Sequence, residues 1–238
     1  MRSRNSCLWV VLMVLCFGCT TVSREPLHAG HFDESMAFAF TTEPVSLFSS
    51  DEEVLSDEAI ARILAYEYTP QKENRIAVLA LGQERWFGWS DELARAGRDV
   101  QSSLLTKLLS SPMVRDASYL PTLLIPERET VGHYREAGAR YQADLLLIYR
   151  ASCRTYEKYS VFSHGKSKLY CNVEALLLDV RNGIVPFAVT ASRDFLAEKS
   201  EEDISRAETA WRVELEALQD ALSEIGDEVV AFLADAAQ

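Results

Sequence analysis

The chain has 238 residues, of which 48% are hydrophobic and 25% are charged. This is the composition of an ordinary globular protein with enough length to bury a core. The formal net charge is -12, and such an acidic surface repels nucleic-acid phosphates and anionic lipid head groups, so we exclude nucleic-acid binding and electrostatic membrane binding.

The amino terminus has the layout of a bacterial secretion signal. Arg2 and Arg4 form a short basic region, and residues 8–17 form an uncharged apolar run. The run is shorter than the roughly 20 residues that span a bilayer, but it has the length of a signal-peptide core. It ends at Gly18-Cys19, which resembles the lipobox of bacterial lipoproteins. We therefore predict cleavage before Cys19 and its lipidation; the alternative is plain secretion with a free Cys19.

Thr20 follows the predicted lipidation site. In lipoproteins of this kind an aspartate at that place commonly signals retention at the inner membrane, so Thr20 favours the inner leaflet of the outer membrane, facing the periplasm. The predicted partner here is the lipid bilayer. Each buried methylene of an acyl chain such as palmitate contributes about 0.8 kcal/mol, so several chains bind essentially permanently.

The rest of the chain divides into a tether and a folded part. The predicted boundaries are a signal peptide at 1–18, a flexible tether at 19–50, a helical lead-in at 51–71 and an α/β domain at 72–238. In the lead-in, Ser56 precedes a helical pattern that ends before Pro70 and places Ile60, Ile63 and Leu64 on one face.

The domain begins with helices and strands in alternation. Arg75 to Leu81 is a continuous apolar run, which predicts a buried strand. A helix capped by Ser90 follows and stops before Pro112. An extended segment from Val114 to Ile125 and a second helix from Pro126 to about Arg140 come next.

The apolar period then switches to two, which predicts an antiparallel hairpin. With Cys153 opposite Cys171, the apolar residues of both strands face each other, and Arg150 falls opposite Glu174. After loss of the signal peptide and lipidation of Cys19, these two cysteines remain. Because an even number of cysteines is left in an oxidising compartment, we predict a disulfide between them. The alternative is two buried free thiols.

The last part of the chain predicts a third strand and a long helix. Asn182-Gly183 is a turn signal that leads into a strand at Ile184–Thr190, which Pro186 restricts to an edge or a bulge. The second face of the sheet is also apolar, at Leu146, Ile148, Leu176, Leu178, Phe187 and Val189. A heptad seam follows at Trp211, Leu215, Leu218, Leu222, Ile225, Val229 and Phe232. We expect this helix, with a bend at Gly226, to cover the second face within one chain; the alternative is that it does so between chains.

The resulting β-α-β-α-β-β-β-α order resembles a group of envelope proteins that includes the curli secretion channel lipoprotein, the penicillin-binding-protein activators and the amino-terminal domain of TolB. The similar motifs are Ile76-Ala77-Val78, Gly138-Ala139, Ala143-Asp144 and the hairpin at residues 178–183. The similarity covers about residues 72–235 and implies an α/β (α+β) fold with a mixed sheet. Members of this group act by binding and assembly, so the resemblance supplies no catalytic residue.

An aromatic cluster after the first strand is the candidate partner-binding site. Trp86, Phe87 and Trp89 lie in one predicted loop, and tryptophan is enriched among residues that dominate protein interfaces. The alternative is that these side chains cap the end of the sheet, since tryptophan is generally well buried.

The sequence favours a protein without a metal, a cofactor or catalytic residues. His28 and His31 are two potential ligands, whereas a zinc site usually needs three or four from the protein. No phosphate-binding loop or Ser-His-Asp grouping is apparent. Asp144 and Asp179 flank strands and are typical of turn residues.

We therefore expect a non-catalytic accessory, adaptor or assembly factor of an envelope complex. The sequence does not identify its protein partner and does not decide whether the chain forms a homo-oligomer. One alternative is a ring-forming secretion component of the curli-channel type. Its membrane strands would need about 9–11 residues with an apolar outer face, whereas residues 154–159 carry charges on both faces. The other alternative is an enzyme of unrecognised type.

Overall fold

The computed structural model describes residues 46–47, 54–82, 91–158, 166–197 and 206–237. The predicted fold class is confirmed, because one mixed five-stranded sheet packs against α-helices and a long helix is the last element of the chain. The elements are α1 (Asp57–Leu64), β1 (Asn74–Leu81), α2 (Asp91–Leu109), β2 (Val114–Tyr119), α3 (Val131–Arg140), β3 (Leu145–Lys158), β4 (Lys166–Asp179), β5 (Phe187–Ala197) and α4 (Arg206–Asp235).

The strands lie in the order β2-β1-β3-β4-β5. β1 is parallel to β2 and β3, and the other pairs are antiparallel. The connection from β1 to β2 and the connection from β2 to β3 run in opposite directions along the sheet. Because such crossovers are right-handed, α2 and α3 lie on opposite faces.

The predicted hairpin register is confirmed. Cys153 lies opposite Cys171, and Arg150 lies opposite Glu174. β5 pairs with β4 and forms one edge of the sheet, as Pro186 predicted. The strand begins at Phe187 rather than Ile184 because Pro186 has no N–H to donate.

The heptad seam is buried except for Trp211 and Phe232, which are half-buried, but the expectation that it covers the second face was wrong. α4 and α2 pack on the first face, against residues such as Leu147, Val173 and Leu177. The second face around Leu146 and Ile148 is covered by α3 instead. The prediction failed because both faces are apolar beside β1, so alternation alone does not assign a helix to a face.

Two residues were also assigned to the wrong face. Phe187 pairs with Leu177 and Val189 pairs with Ala175, so both belong to the first face. Three residues separate the turn at Asn182-Gly183 from β5. They change which side chains of β5 point to each face, so counting residues from the turn does not assign the faces correctly.

Gly226 lies at a close contact between α4 and α2. A Cβ atom at this position would lie 2.9 Å from the Cβ of Lys107 and 3.4 Å from Cδ1 of Leu104, both in α2. The next residue, Asp227, accepts a hydrogen bond from Lys107 Nζ at 2.7 Å. Glycine therefore lets the two helices approach at this crossing.

The connection between β2 and α3 also differs from the prediction. β2 ends at Tyr119, and a short 3-10 helix occupies Thr122–Leu124. Pro121 cannot extend the strand ladder, and α3 begins five residues after Pro126, where the Thr130 hydroxyl accepts a hydrogen bond from His133 N at 3.4 Å. Ser90, the predicted cap of α2, lies outside the described residues.

The lead-in helix begins as predicted, with Ser56 Oγ accepting a hydrogen bond from Ala59 N at 3.3 Å. After α1, Tyr68 stacks on Phe232 of α4 with ring centroids 5.8 Å apart, and Phe232 stacks on Phe187 at 4.9 Å. This aromatic row attaches the chain after α1 to the end of α4. No helix in the described part of the chain is long and apolar enough to cross a membrane.

Candidate functional site

The residues predicted to carry function fall into two groups. Cys19, Trp86, Phe87 and Trp89 lie outside the described residues, so the lipidation site and the aromatic loop stay predictions. Cys153 and Cys171 lie inside, in the paired part of β3 and β4, and the structure joins them.

The two cysteines form a disulfide, with an S–S distance of 1.96 Å and Cα atoms 4.1 Å apart. Their position follows from the alternation of β3 and β4, which points both side chains to the first face. There they lie in a small core with Leu169 of β4 and with Val213 and Ala217 of α4. The disulfide therefore fixes the register of the hairpin beneath the amino-terminal half of α4.

The opposite face of the same hairpin is polar. Arg150 pairs with Glu174 at 2.8 Å, and Lys168 pairs with Asp194 at 2.7 Å. The hydrogen bond from Lys168 holds the pKa of the Asp194 carboxyl below its ordinary value. Glu174, Lys168 and Asp194 are exposed and Arg150 is half-buried, and pairing across strands lets all four stabilise this face of the sheet.

Asp144 and Asp179 hold the turns at the other end of the hairpin, as the sequence indicated. Asp144 accepts a hydrogen bond from Arg75 N at 2.9 Å and pairs with Arg181. Asp179 accepts hydrogen bonds from Arg181 N at 2.8 Å and from Asn182 Nδ2 at 3.1 Å. The role of Arg181 was not predicted, because its partner Asp144 is 37 residues away in the chain.

Buried tyrosines are the main titratable groups of the core. Burial raises the pKa of Tyr119 to about 12 and raises the pKa of Tyr149 well above its ordinary value. Burial also raises the pKa of Tyr68 to about 12, with Asp179 and Asp144 adding to the effect. These phenols stay neutral near pH 7, where they cannot act as bases.

Metal-ligating residues are dispersed through the ranges that the structure describes. Within those ranges, no three side chains of His, Cys, Asp or Glu form a group that could hold a metal ion. The one histidine there, His133, has its Nδ1 atom 2.7 Å from the Thr130 hydroxyl, at the start of α3. This residue therefore has a role in the helix cap.

The exposed apolar residues suggest a different kind of site. None of the residues of α1 is buried, and its apolar side chains Ile60, Ile63 and Leu64 are 41%, 44% and 81% exposed. Their spacing puts all three on one side of the helix. The sequence predicted this face but not that the domain would leave it uncovered.

Comparison with known proteins gives distant structural likenesses. No family model matches the chain, and no curated protein matches it either. Among solved structures, it is similar to a PelC dodecamer from Paraburkholderia phytofirmans, with 14% identity over 66% of this chain and 89% of that chain and a TM-score of 0.35.

Two further similar structures are bacterial lipoproteins. A minor lipoprotein from Acinetobacter baumannii has 8% identity over 66% of this chain and 93% of that chain, with a TM-score of 0.39. Lipoprotein B from Nitrosomonas europaea has 14% identity over 70% of this chain and 90% of that chain, with a TM-score of 0.38. At these values the likenesses carry no argument about what this chain binds.

Proposed function

We propose that the chain is a lipid-anchored periplasmic protein that acts as a non-catalytic accessory, adaptor or assembly factor of an envelope complex. The observation that carries this proposal is the disulfide between Cys153 and Cys171. Disulfides persist in oxidising compartments such as the periplasm and are rare in the cytosol. Export is also what the signal-like amino terminus ending at Gly18-Cys19 predicts.

A binding role is supported by how the polar groups of the described residues are used. The ion pairs of Arg150 and Lys168 join strands, and the carboxylates of Asp144 and Asp179 hold turns. Each of these groups therefore has a structural task. The exposed apolar face of α1 is, by contrast, the kind of surface that a partner covers.

The anchor is tested by labelling cells with a palmitate analogue and then separating membranes from the periplasm. We expect the wild-type protein to carry the label and to sediment with the outer membrane. The variant Cys19→Ala should lose the label and should not sediment. Cys16→Ala, three residues earlier, is the matched control and should behave as wild type. Equal labelling of Cys19→Ala and wild type would contradict the proposed anchor.

A further inference from the structure

The outer edge of β2 can accept a further strand. Among the strands that the structure describes, β2 is the last on its side of the sheet. Alternate backbone N–H and C=O groups of Val114–Tyr119 therefore point away from β1. An extended segment that lies along such an edge can pair with these groups through main-chain hydrogen bonds.

An apolar strip formed by Leu105 and Leu109 of α2 lies beside this edge. α2 packs on β1 and β2, whereas α4 packs on β4 and β5. The two helices meet at Lys107, where a Cβ atom at Gly226 would lie 2.9 Å from the Lys107 Cβ. Because successive helical residues are about 100° apart, Leu105 and Leu109 lie on the side of α2 away from α4, toward the outer edge of β2. Leu109 is 47% exposed there.

The chain before α1 reaches the domain at Leu47. The Leu47 carbonyl accepts a hydrogen bond from Val131 N at 3.1 Å, at the start of α3. Leu47 also packs against the core of the second face, which includes Leu120 and Leu124 from the segment after β2. Among the described residues, β5 contributes nothing to that core. The residues before Leu47 therefore start within reach of β2.

The sequence before Leu47 contains a segment with the pattern of a strand. Met36–Phe40, which lies outside the described residues, alternates large apolar side chains with alanines. In an extended conformation Met36, Phe38 and Phe40 would share one face. Residues 41–46 span at most about 20 Å, which is also the length of a strand of six residues such as β2. The segment can therefore reach the edge of β2 in its own chain.

We propose that Met36–Phe40 docks on the outer edge of β2 as a sixth strand, with Phe38 and its large neighbours on the strip of Leu105 and Leu109. The short connection to Leu47 favours the edge of the same chain over that of a second copy, because it raises the effective concentration of the segment. Docking would cover the strip and would shorten the predicted tether to residues 19–35. It requires neither the lipid on Cys19 nor a partner protein.

Cysteine cross-linking in the full-length chain, purified from the membranes of the cells that produce it, tests where the segment lies. Phe38→Cys is combined with Leu109→Cys on the strip or, as the matched control, with Thr190→Cys at an exposed position of β5. We expect oxidation to join positions 38 and 109 within one chain at least about tenfold faster than positions 38 and 190. Mass spectrometry of unreduced peptides identifies the joined cysteines, and a gel without reductant separates monomers from dimers.

Hydrogen exchange tests whether the segment pairs with β2. Phe38→Asp should displace the segment, so that the amides of Val114–Tyr119 that point away from β1 exchange at least about tenfold faster. Phe32→Asp makes the same change outside the alternating segment and should leave this exchange as in the wild type. Both changes lie in the predicted tether, and unchanged exchange in β4 would show that the domain is folded in each variant.

Three cross-linking results would overturn the docking: dimers joined through position 38, equal rates with positions 109 and 190, or no cross-link between positions 38 and 109. Exchange of β2 that is the same in Phe38→Asp as in the wild type would overturn the strand pairing. Dimers would instead assign the segment to the edge of a second copy.

Discussion

Glu214 of α4 is a single residue whose protonation should affect the stability of the protein. Burial raises the pKa of its carboxyl from the ordinary 4.5 to about 7. Because the folded state favours the protonated form, the contribution of Glu214 to stability is fully present below pH 4.5 and is lost as the pH rises from 4.5 to about 7. Above that range the penalty is complete.

The variant Glu214→Gln removes this penalty while keeping the size of the side chain. We expect its free energy of unfolding at pH 8 to exceed that of the wild type by up to about 3 kcal/mol, and the two to agree near pH 4. Urea unfolding at both pH values measures this difference. Asp220→Asn, at an exposed position of the same helix, is the control and should show no such dependence. An equal effect of Glu214→Gln at both pH values would contradict the assignment.

The cysteine pair should contribute to stability through the unfolded state. Cys153 and Cys171 are 18 residues apart in the chain, and closing a loop of this size stabilises the fold by about 3 kcal/mol in the chain-entropy model. We expect Cys153→Ala with Cys171→Ala to lose about that amount in urea unfolding without reductant. With reductant present, the wild type should approach the variant.

The disulfide can also be tested in the exported protein. Thiol alkylation of denatured, unreduced protein taken from the periplasm should leave Cys153 and Cys171 unmodified. Alkylation of both residues without prior reduction would show that the bridge is absent in the cell, whatever the unfolding data give.

At the scale of elements, the contact between α2 and α4 depends on Gly226. Alanine is the better helix former by about 1 kcal/mol, but a Cβ atom here would lie 2.9 Å from the Cβ of Lys107. Overpacking of this kind costs about 1–3 kcal/mol, so Gly226→Ala should give a net loss of about 1 kcal/mol.

Gly132 of α3 provides the matched control. A Cβ atom there would meet the Thr130 hydroxyl oxygen at 3.9 Å, an ordinary contact. Gly132→Ala should therefore stabilise the protein by up to about 1 kcal/mol. Chemical unfolding of both variants gives the comparison, and a gain at Gly226→Ala equal to that at Gly132→Ala would refute the close helix contact.

Helices and strands with a repeating local pattern were predictable from the sequence. Which sheet face each helix covers was less predictable. The register of β3 and β4 was predictable because apolar pairing, the cysteine pair and the pair of Arg150 with Glu174 all required it. The heptad seam of α4 was predictable in the same way. The face that α4 covers was not, because Leu146 and Leu147 lie on opposite faces and both are fully buried.

Of the candidate site, the sequence predicted the disulfide and the apolar face of α1. It did not predict that this face is uncovered, because exposure depends on the path of the chain around Tyr68 and Phe232. The pairing of Asp144 with Arg181 was missed for a similar reason, since it joins the start of β3 to the turn after β4.

At the scale of the whole domain, α4 connects the two parts of the core. The helix has 30 residues and so extends about 45 Å. Its amino-terminal half covers the disulfide-bonded hairpin, and its carboxyl-terminal half packs with α2 on the parallel strands. Loss of this helix should therefore unfold both parts of the domain together.

The double variant Leu218→Asp with Leu222→Asp tests this cooperation. Both leucines are 1% exposed, and replacing them by two unpaired acids removes apolar burial and buries polar groups, at a cost comparable to the roughly 5–15 kcal/mol by which domains are usually stable. We expect loss of the cooperative thermal transition followed by circular dichroism. Gln219→Asp with Ala231→Asp adds the same charge at exposed positions and should melt close to the wild type. An unchanged melting temperature of the Leu218→Asp, Leu222→Asp protein would contradict the packing of α4.

The place of the disulfide also has a consequence for the order of events in export. Thiols stay reduced in the cytosol, so under the proposed export the bridge forms only after the chain has left the cytosol. In the cytosol, the hairpin beneath the amino-terminal half of α4 would lack its disulfide. The free energy of unfolding would then be lower by the contribution of that bond, roughly 3 kcal/mol. In the proposed route of export, the chain therefore gains its full stability only after it has crossed the membrane, and the bond that stabilises the mature fold offers no resistance to translocation.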